Sequence, residues 1–93
     1  MSRTPTRIAL AALPFPVSRE ASVSHAVQAV AEAGAAGAAV VCFPECYVPG
    51  YRAPGRDLAP PDPAWLRQAW AAVQQAAAAA RVGVVLGTER VQD

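Results

Sequence analysis

The stretch Gly37-Ala38-Ala39-Val40-Val41-Cys42-Phe43-Pro44-Glu45 decides the fold, because it combines a strongly apolar run with an abrupt stop. Residues 38–43 are continuously apolar and β-branched in the middle, which is typical of a central strand in a parallel sheet. A proline cannot donate a hydrogen bond into a sheet ladder, so the strand ends at Pro44. We therefore predict a strand over 38–43 that places Glu45 at its carboxyl end.

The residues before this strand predict another strand and a helix. Thr6 to Leu13 is a short apolar run between Pro5 and Pro14, the pattern of a strand buried on both faces. Apolar residues then recur at helical spacing, Ser18 or Ser22 is placed to cap the helix start, and glycines follow at its end. The residues on this apolar face are Val23, Ala26, Val27, Val30 and Ala33.

The residues after the central strand predict a long loop, a second helix and a third strand. Residues 44–63 contain six prolines and two glycines, which indicates an ordered loop, and long loops in compact folds tend to be functional. Asp62 and Pro63 are a suitable helix entry, and an apolar face continues to Arg81, so the helix spans 63–81. Val82 to Thr88 reads as a strand. The order is β-α-β-loop-α-β, which predicts an α/β fold with a parallel sheet.

Composition and charge exclude several classes of function. The 93 residues suffice for one small domain, and only 16% of them are charged. The net charge is +1, and all eight basic residues are arginines, which argues against a nucleic-acid partner and against a polybasic membrane surface. The apolar stretches are shorter than the roughly 20 residues that span a bilayer. Cys42 and Cys46 lie too close together to staple a secreted scaffold, so we expect a reduced, cytoplasmic setting.

Glu45 is the first candidate for chemistry. In parallel sheets, active groups gather at the carboxyl ends of the strands, and Glu45 follows the central strand directly. A carboxylate held against that apolar strand would be partly desolvated, which suits a general base near neutral pH. The alternative reading is a solvated charge at the entrance of the loop.

With Pro49-Gly50-Tyr51 after it, this segment resembles the first catalytic motif of the nitrilase or carbon–nitrogen hydrolase superfamily, in which an apolar strand ends in Phe-Pro-Glu. The resemblance continues in an opening Arg-Ile-Ala-Leu strand, a helix ending in Ala-Gly-Ala and a later strand over Val84 to Gly87. It covers nearly the whole chain, from about Thr6 to Arg90. It implies that residues 1–93 are a partial domain, the amino-terminal part of an α-β-β-α sandwich.

The resemblance also implies an activity. Members of the family hydrolyse non-peptide carbon–nitrogen bonds of amides, carbamoyl compounds or nitriles through a glutamate, a lysine and a cysteine. Glu45 matches the glutamate, the general base, and Tyr51 matches a tyrosine that often lines the substrate pocket, although loop packing is nearly as good an explanation for Tyr51. The family implies no metal and no organic cofactor, and it implies a homodimer for the full-length form.

The chain departs from the family in one respect. The family's lysine and nucleophilic cysteine lie downstream of the third strand, whereas this sequence contains no lysine and ends at Asp93. On this reading it is a truncated piece that cannot assemble the triad by itself. The alternative is a noncatalytic α/β module that associates with a partner or with itself through its open sheet edge. A nucleotide-binding half-domain is disfavoured, because the turn at 13–16 has no glycine.

Four further residues have weaker cases. We expect Cys42 to be buried and inert, and we expect the carboxylate beside Cys46 to oppose formation of its thiolate. The histidine, His25, is expected to be a surface or partly buried helix residue, and the cysteine spacing lacks the second ligand pair of a structural zinc site. For Glu89, a supporting role is expected rather than a catalytic one.

Overall fold

The computed structural model describes residues 5–53, 55–56 and 58–90. Within these residues the predicted order of elements is confirmed. The elements are β1 (Ile8–Leu10), α1 (Arg19–Ala35), β2 (Val40–Cys42), α2 (Pro63–Ala80) and β3 (Gly83–Val85). Each strand is shorter than predicted, because the apolar runs extend beyond the three residues that pair in the ladder.

The three strands form one parallel sheet in the order β1-β2-β3. Val41 in the central strand lies opposite Ala9 on one side and Val84 on the other. Backbone hydrogen bonds between the strands continue past the strand ends. The Ala11 N–H donates to the Cys42 carbonyl, and the Phe43 N–H donates to the Val85 carbonyl, each at 2.9 Å. The sheet therefore stays ordered up to the edge at which Glu45 follows.

Helix α1 begins where the sequence offers a cap. The Ser18 side chain accepts a hydrogen bond from the Ala21 N–H at 3.0 Å, so Ser18 is the cap and Ser22 is not. Ser22 is instead fully buried, and its hydroxyl donates to the Arg19 carbonyl at 2.6 Å. Ala26 and Val30 are also completely buried, as the apolar spacing predicts.

Helix α2 is capped at both ends by local geometry. The Asp62 carboxylate accepts from the Ala64 and Trp65 N–H groups, and Pro63 occupies the first turn. At the other end, Arg81 adopts the left-handed conformation (φ 56°), which stops the helix one residue before the predicted position. The side chains of Leu66 and Val73 bury the inner face.

The two helices lie close together, because small residues meet where they contact. A Cβ atom added to Gly34 of α1 would lie 2.7 Å from the Ala80 Cβ of α2, so this approach requires a glycine. The core forms between the helices and one face of the sheet. It consists of Ala26, Val30, Ala33, Ala38, Val41, Phe43, Tyr47, Val48, Ala69, Val73 and Val82.

The prediction that the first strand is buried on both faces is wrong. Among the described residues, those of the core lie on one face of the sheet, and the side chains that point away from it are uncovered: Ile8 is 63% exposed, Leu10 78% and Val85 58%. Cys42 pairs in register with Leu10 and Val85, and it is only partly buried for the same reason. The expectation that Cys42 is buried is therefore wrong as well.

The proline-rich loop connects β2 to α2 without a regular element of its own in its described residues. Its first part pairs with the chain beyond β3 through a parallel bridge between Val48 and Thr88. Pro54 and Asp57, which belong to the predicted loop, lie outside the described residues. In the part of the chain that the structure describes, neither helix is both long enough and apolar enough to cross a membrane.

The fold predicts that burial decides the effect of the same substitution at two valines. Val30 is fully buried between the helices and the sheet, whereas Val17 is 93% exposed. Val30→Ala should lower the free energy of unfolding by about 2 kcal/mol, because it removes two buried methyl groups and leaves a small cavity. Val17→Ala, the matched control, should change it by less than about 0.5 kcal/mol. Urea unfolding followed by circular dichroism measures both free energies of unfolding. Equal decreases in the two variants would contradict the placement of Val30 in the core.

Candidate functional site

Glu45 lies in a tight turn at the carboxyl end of β2. The Tyr47 N–H donates to the Pro44 carbonyl at 3.3 Å, and the Gly50 N–H donates to the Cys46 carbonyl at 3.2 Å. Cys46, between these two bonds, has a left-handed backbone (φ 49°). We call residues 44–52 the site segment. Its turns interrupt the chain immediately after the strand, before Val48 pairs in parallel with Thr88, so that Glu45 lies at the edge of the sheet.

The chain just beyond β3 packs directly against the backbone of Glu45. A Cβ atom on Gly87 would collide with the Pro44 carbonyl oxygen and would lie 2.8 Å from the Glu45 Cα. The Gly87 carbonyl also accepts from the Val48 N–H at 3.2 Å. Only a residue without a side chain permits this approach, so Gly87 fixes the backbone position from which the Glu45 side chain extends.

Tyr47 anchors the site segment to the opposite side of the fold. Its ring is buried beside Phe43, with 6.0 Å between ring centroids, and its hydroxyl donates to the Pro14 carbonyl at 3.2 Å. The His25 Nδ1 atom lies 3.2 Å from the same hydroxyl, and it donates to the Tyr47 oxygen when the ring carries a proton on Nδ1. Burial raises the pKa of Tyr47 and keeps the hydroxyl protonated. His25 is thus partly buried on α1, within the expected range.

An ion pair connects the far end of the site segment to the chain beyond β3. The Arg52 Nε donates to the Glu89 Oε2 and one terminal Arg52 nitrogen donates to the Glu89 Oε1, both at 2.8 Å. Just before Glu89, the Thr88 hydroxyl accepts from the Trp70 indole N–H at 2.8 Å. The supporting role expected of Glu89 fits this contact. Arg52 was not singled out from the sequence, because its partner lies 37 residues away.

Cys46 is partly buried and has a raised thiol pKa. Burial is the largest cause, and the charges of Glu45 and Glu89 raise the pKa further, whereas Arg52 opposes them. The Cys46 Sγ lies 3.6 Å from the Thr88 carbonyl oxygen and can donate to it. The prediction that a neighbouring carboxylate opposes the Cys46 thiolate is confirmed, although burial is the stronger effect.

The described residues leave the other predicted site groups uncovered. Glu45 is exposed, because it lies in the turn after β2 and not in the strand itself. The described residues therefore do not supply the desolvation that we expected for its carboxylate. Tyr51 is 45% exposed. No group of three histidine, cysteine or acidic side chains suited to a metal ion occurs among the residues that the structure describes.

A large open groove lies beside this edge, between α2 and β3. Its volume is about 730 Å³, and its walls are mainly apolar. The end nearest the site segment is lined by Leu86 and by the hydrogen-bonded pair of Trp70 and Thr88. The site therefore combines an exposed carboxylate, a half-buried thiol, an ion pair and an adjoining apolar groove.

This parallel α/β unit has an acid at the carboxyl end of its central strand, the position at which α/β proteins of this class hold their ligand sites. Comparison with known families agrees with that class. The model of the carbon–nitrogen hydrolase family matches residues 7–92, nearly the whole chain. The chain belongs to the carbon–nitrogen hydrolase family. Comparison with the curated proteins and with the solved structures found no match.

The close approach at Gly87 predicts a strong steric effect. Gly87→Ala should lower the free energy of unfolding by about 2 to 3 kcal/mol, because the added methyl group overlaps backbone atoms that cannot rotate away. Gly83→Ala, in β3, is the matched control, since its added Cβ would meet its nearest neighbours at 3.4 Å. Chemical unfolding of both variants measures the difference. Similar stabilities for the two variants would show that Gly87 does not pack on the Glu45 backbone as described.

The charges around Cys46 predict its reactivity. Glu45→Gln removes a negative charge that raises the Cys46 pKa, so the thiolate fraction at pH 7.5 should rise. We expect alkylation by iodoacetamide to become about two- to threefold faster, the effect of one partly screened charge at several ångströms. The measurement uses a Cys42→Ala background, so that only one thiol reacts. Glu32→Gln, which removes an exposed charge on α1, is the control and should leave the rate unchanged.

Proposed function

We propose that this chain forms the amino-terminal part of a hydrolase that acts on non-peptide carbon–nitrogen bonds, with Glu45 as the general base. Membership of the carbon–nitrogen hydrolase family supports the reaction class. The observation that carries the assignment of Glu45 is its position: it follows the central strand of the sheet, at the edge where parallel α/β folds hold their chemistry.

The proposed reaction proceeds through a covalent intermediate. Glu45 accepts the proton of a cysteine thiol, and the thiolate attacks the carbonyl carbon of an amide or carbamoyl group, or the carbon of a nitrile. With an amide, a thioester forms, and Glu45 returns the proton to the leaving amine. Glu45 then takes a proton from water, which hydrolyses the thioester and restores the thiol. A lysine stabilises the negative charge that develops on the substrate.

The lysine and the nucleophilic cysteine of this reaction are proposed to come from outside residues 1–93. The sequence contains no lysine. Cys46 is a poor nucleophile here, because burial and two carboxylates raise its pKa. Further sequence after β3 would supply both groups, cover the Glu45 carboxylate and bring Tyr51 into the wall of a substrate pocket.

The same proposal extends to the fold. We propose that the uncovered sheet face, which carries Ile8, Leu10 and Val85, packs against a second sheet in an α-β-β-α sandwich. Three large apolar side chains more than half exposed on one face are the observation that supports it, because such a patch is costly in water. A homodimer of the completed sandwich is part of this proposal.

A second candidate function is a noncatalytic module that associates through the same uncovered face and the open edge of β3. The exposed apolar side chains favour it as well, since unpaired sheet edges and apolar faces invite association. The intact mass of the endogenous protein separates the candidates. A mass well above 9.6 kDa, with a lysine and a cysteine beyond residue 93, supports the hydrolase, whereas a 9.6 kDa product that self-associates supports the module.

The proposed function predicts that Glu45→Gln abolishes turnover. The amide side chain has nearly the same shape as the carboxylate but cannot accept a proton, so kcat should fall by at least about 10²- to 10⁴-fold. Release of ammonia or amine from a panel of simple amides, carbamoyl compounds and nitriles measures turnover in the endogenous full-length protein.

Glu32→Gln is the matched control, because it makes the same change at an exposed position on α1. It should retain full activity. Equal activity in both variants would reject Glu45 as the base, and no hydrolysis of any panel member by the unmodified protein would count against this substrate class.

A further inference from the structure

We propose that Arg52 is a positioning residue: paired with Glu89, it holds the site segment against the end of β3 and thereby fixes the direction of the Glu45 carboxylate. The inference rests on the proposed function of Glu45. It adds a residue to which neither the family match nor the sequence pattern gives a role.

The contacts of the site segment show why an anchor is needed at Arg52. Its first half is held by backbone bonds, from Tyr47 to Pro44 and from Val48 to Gly87. Beyond the Gly50 N–H, which donates to the Cys46 carbonyl, the proline-rich loop makes no further ladder pair in its described residues, and its prolines cannot donate hydrogen bonds. The Arg52 side chain is the next described contact that connects the segment to the β3 side of the fold.

The geometry of the pair suits a positioning role. Two parallel N–H···O bonds at 2.8 Å fix both the distance and the orientation of the guanidinium group. The Glu89 side chain is 18% exposed and that of Arg52 36%, so the pair is partly shielded from water. The hydrogen bond to Glu89 raises the pKa of Arg52, which therefore stays charged. A lysine cannot reproduce this fork, so the arginine has a specific geometric function.

Glu89 is itself a firm support. It follows Thr88, whose hydroxyl is bonded to Trp70 on α2 and whose carbonyl oxygen lies 3.6 Å from the Cys46 Sγ. The chain just before it, at Gly87, contacts the backbone of Glu45. The ion pair therefore closes a ring of contacts that begins and ends at the end of β3, and Glu45 lies on that ring.

The pair also balances charge beside the proposed base. The positive charge of Arg52 compensates the negative charge of Glu89. The Cys46 pKa reflects both charges, since Glu45 and Glu89 raise it and Arg52 lowers it. Without Arg52, two uncompensated carboxylates would lie on the same side of the site. A charge-neutral pair leaves Glu45 as the uncompensated acid of this group.

Amide hydrogen exchange of Val48 tests the anchoring directly and requires no turnover. The variants Arg52→Gln and Glu89→Gln should each exchange at Val48 about three- to fivefold faster, because the segment opens more often when a half-buried pair is lost. The charge-reversed double variant Arg52→Glu/Glu89→Arg should recover most of the protection, and Arg52→Lys only part of it. Arg67→Gln, at an exposed position on α2, is the control and should exchange like the unmodified protein.

The reactivity of Cys46 separates a defined pair from a general loosening of the structure. In the Cys42→Ala background, Arg52→Gln should slow alkylation about two- to threefold and Glu89→Gln should accelerate it by a similar factor, since they remove charges of opposite sign. If the ion pair had only a general structural role, its loss would change the alkylation rate of Cys46 in the same direction in both variants.

In the full-length enzyme, Arg52→Gln should lower kcat about tenfold with little change in KM, because a misdirected base slows chemistry more than binding. Unchanged Val48 exchange in both single variants would overturn the anchoring. Faster exchange with an unchanged kcat would overturn the positioning of Glu45 while leaving the anchoring intact. Loss of turnover in Glu45→Gln bears only on the proposed function, so the two failures are distinguishable.

Discussion

The contact between Gly87 and the turn at residues 44–46 is the constraint on which the site depends. It brings the backbone beyond β3 to the backbone of Glu45 at a distance that excludes any side chain. The other contacts follow from it: the Val48 bond to Gly87, the Cys46 contact with Thr88 and the Arg52 pair with Glu89 all lie within two residues of Gly87. One glycine thus converts two neighbouring strand ends into a single site.

The fold could be predicted from the sequence because its signals are local. The apolar run before Pro44, the helical spacing around Val30 and the cap at Asp62 each act within a few residues, and each element appears where these signals place it. The burial of strand faces was predicted less well. An apolar run indicates that a strand is suited to burial, but whether both faces are covered depends on which layers pack on the sheet, and that is a nonlocal property.

The site was only partly predictable for the same reason. The position of Glu45 could be predicted because a local pattern, an apolar strand stopped by a proline, places it at the end of the central strand, whereas its catalytic role stays a prediction. The contacts of Arg52 and Tyr47 could not be predicted, because their partners lie 22 to 37 residues away in the sequence and no local pattern indicates them. These partners are Glu89 for Arg52, and Pro14 and His25 for Tyr47. The sequence contained one usable signal: a glycine directly after an apolar run, as Gly87 is after Leu86, indicates a close backbone approach.

The exposure of Glu45 and the exposure of the sheet face have a common physical basis. Both α1 and α2 contribute to a core on one side of the sheet, so neither shields the side chains on the opposite face or the Glu45 side chain after β2. A carboxylate works best as a base near neutral pH when part of its hydration is removed, and apolar faces are stable when they are covered. A further layer over this side would meet both requirements together. The proposed catalytic role of Glu45 and the proposed sandwich are therefore physically linked, since a layer that buries the sheet face is also able to exclude water from the base.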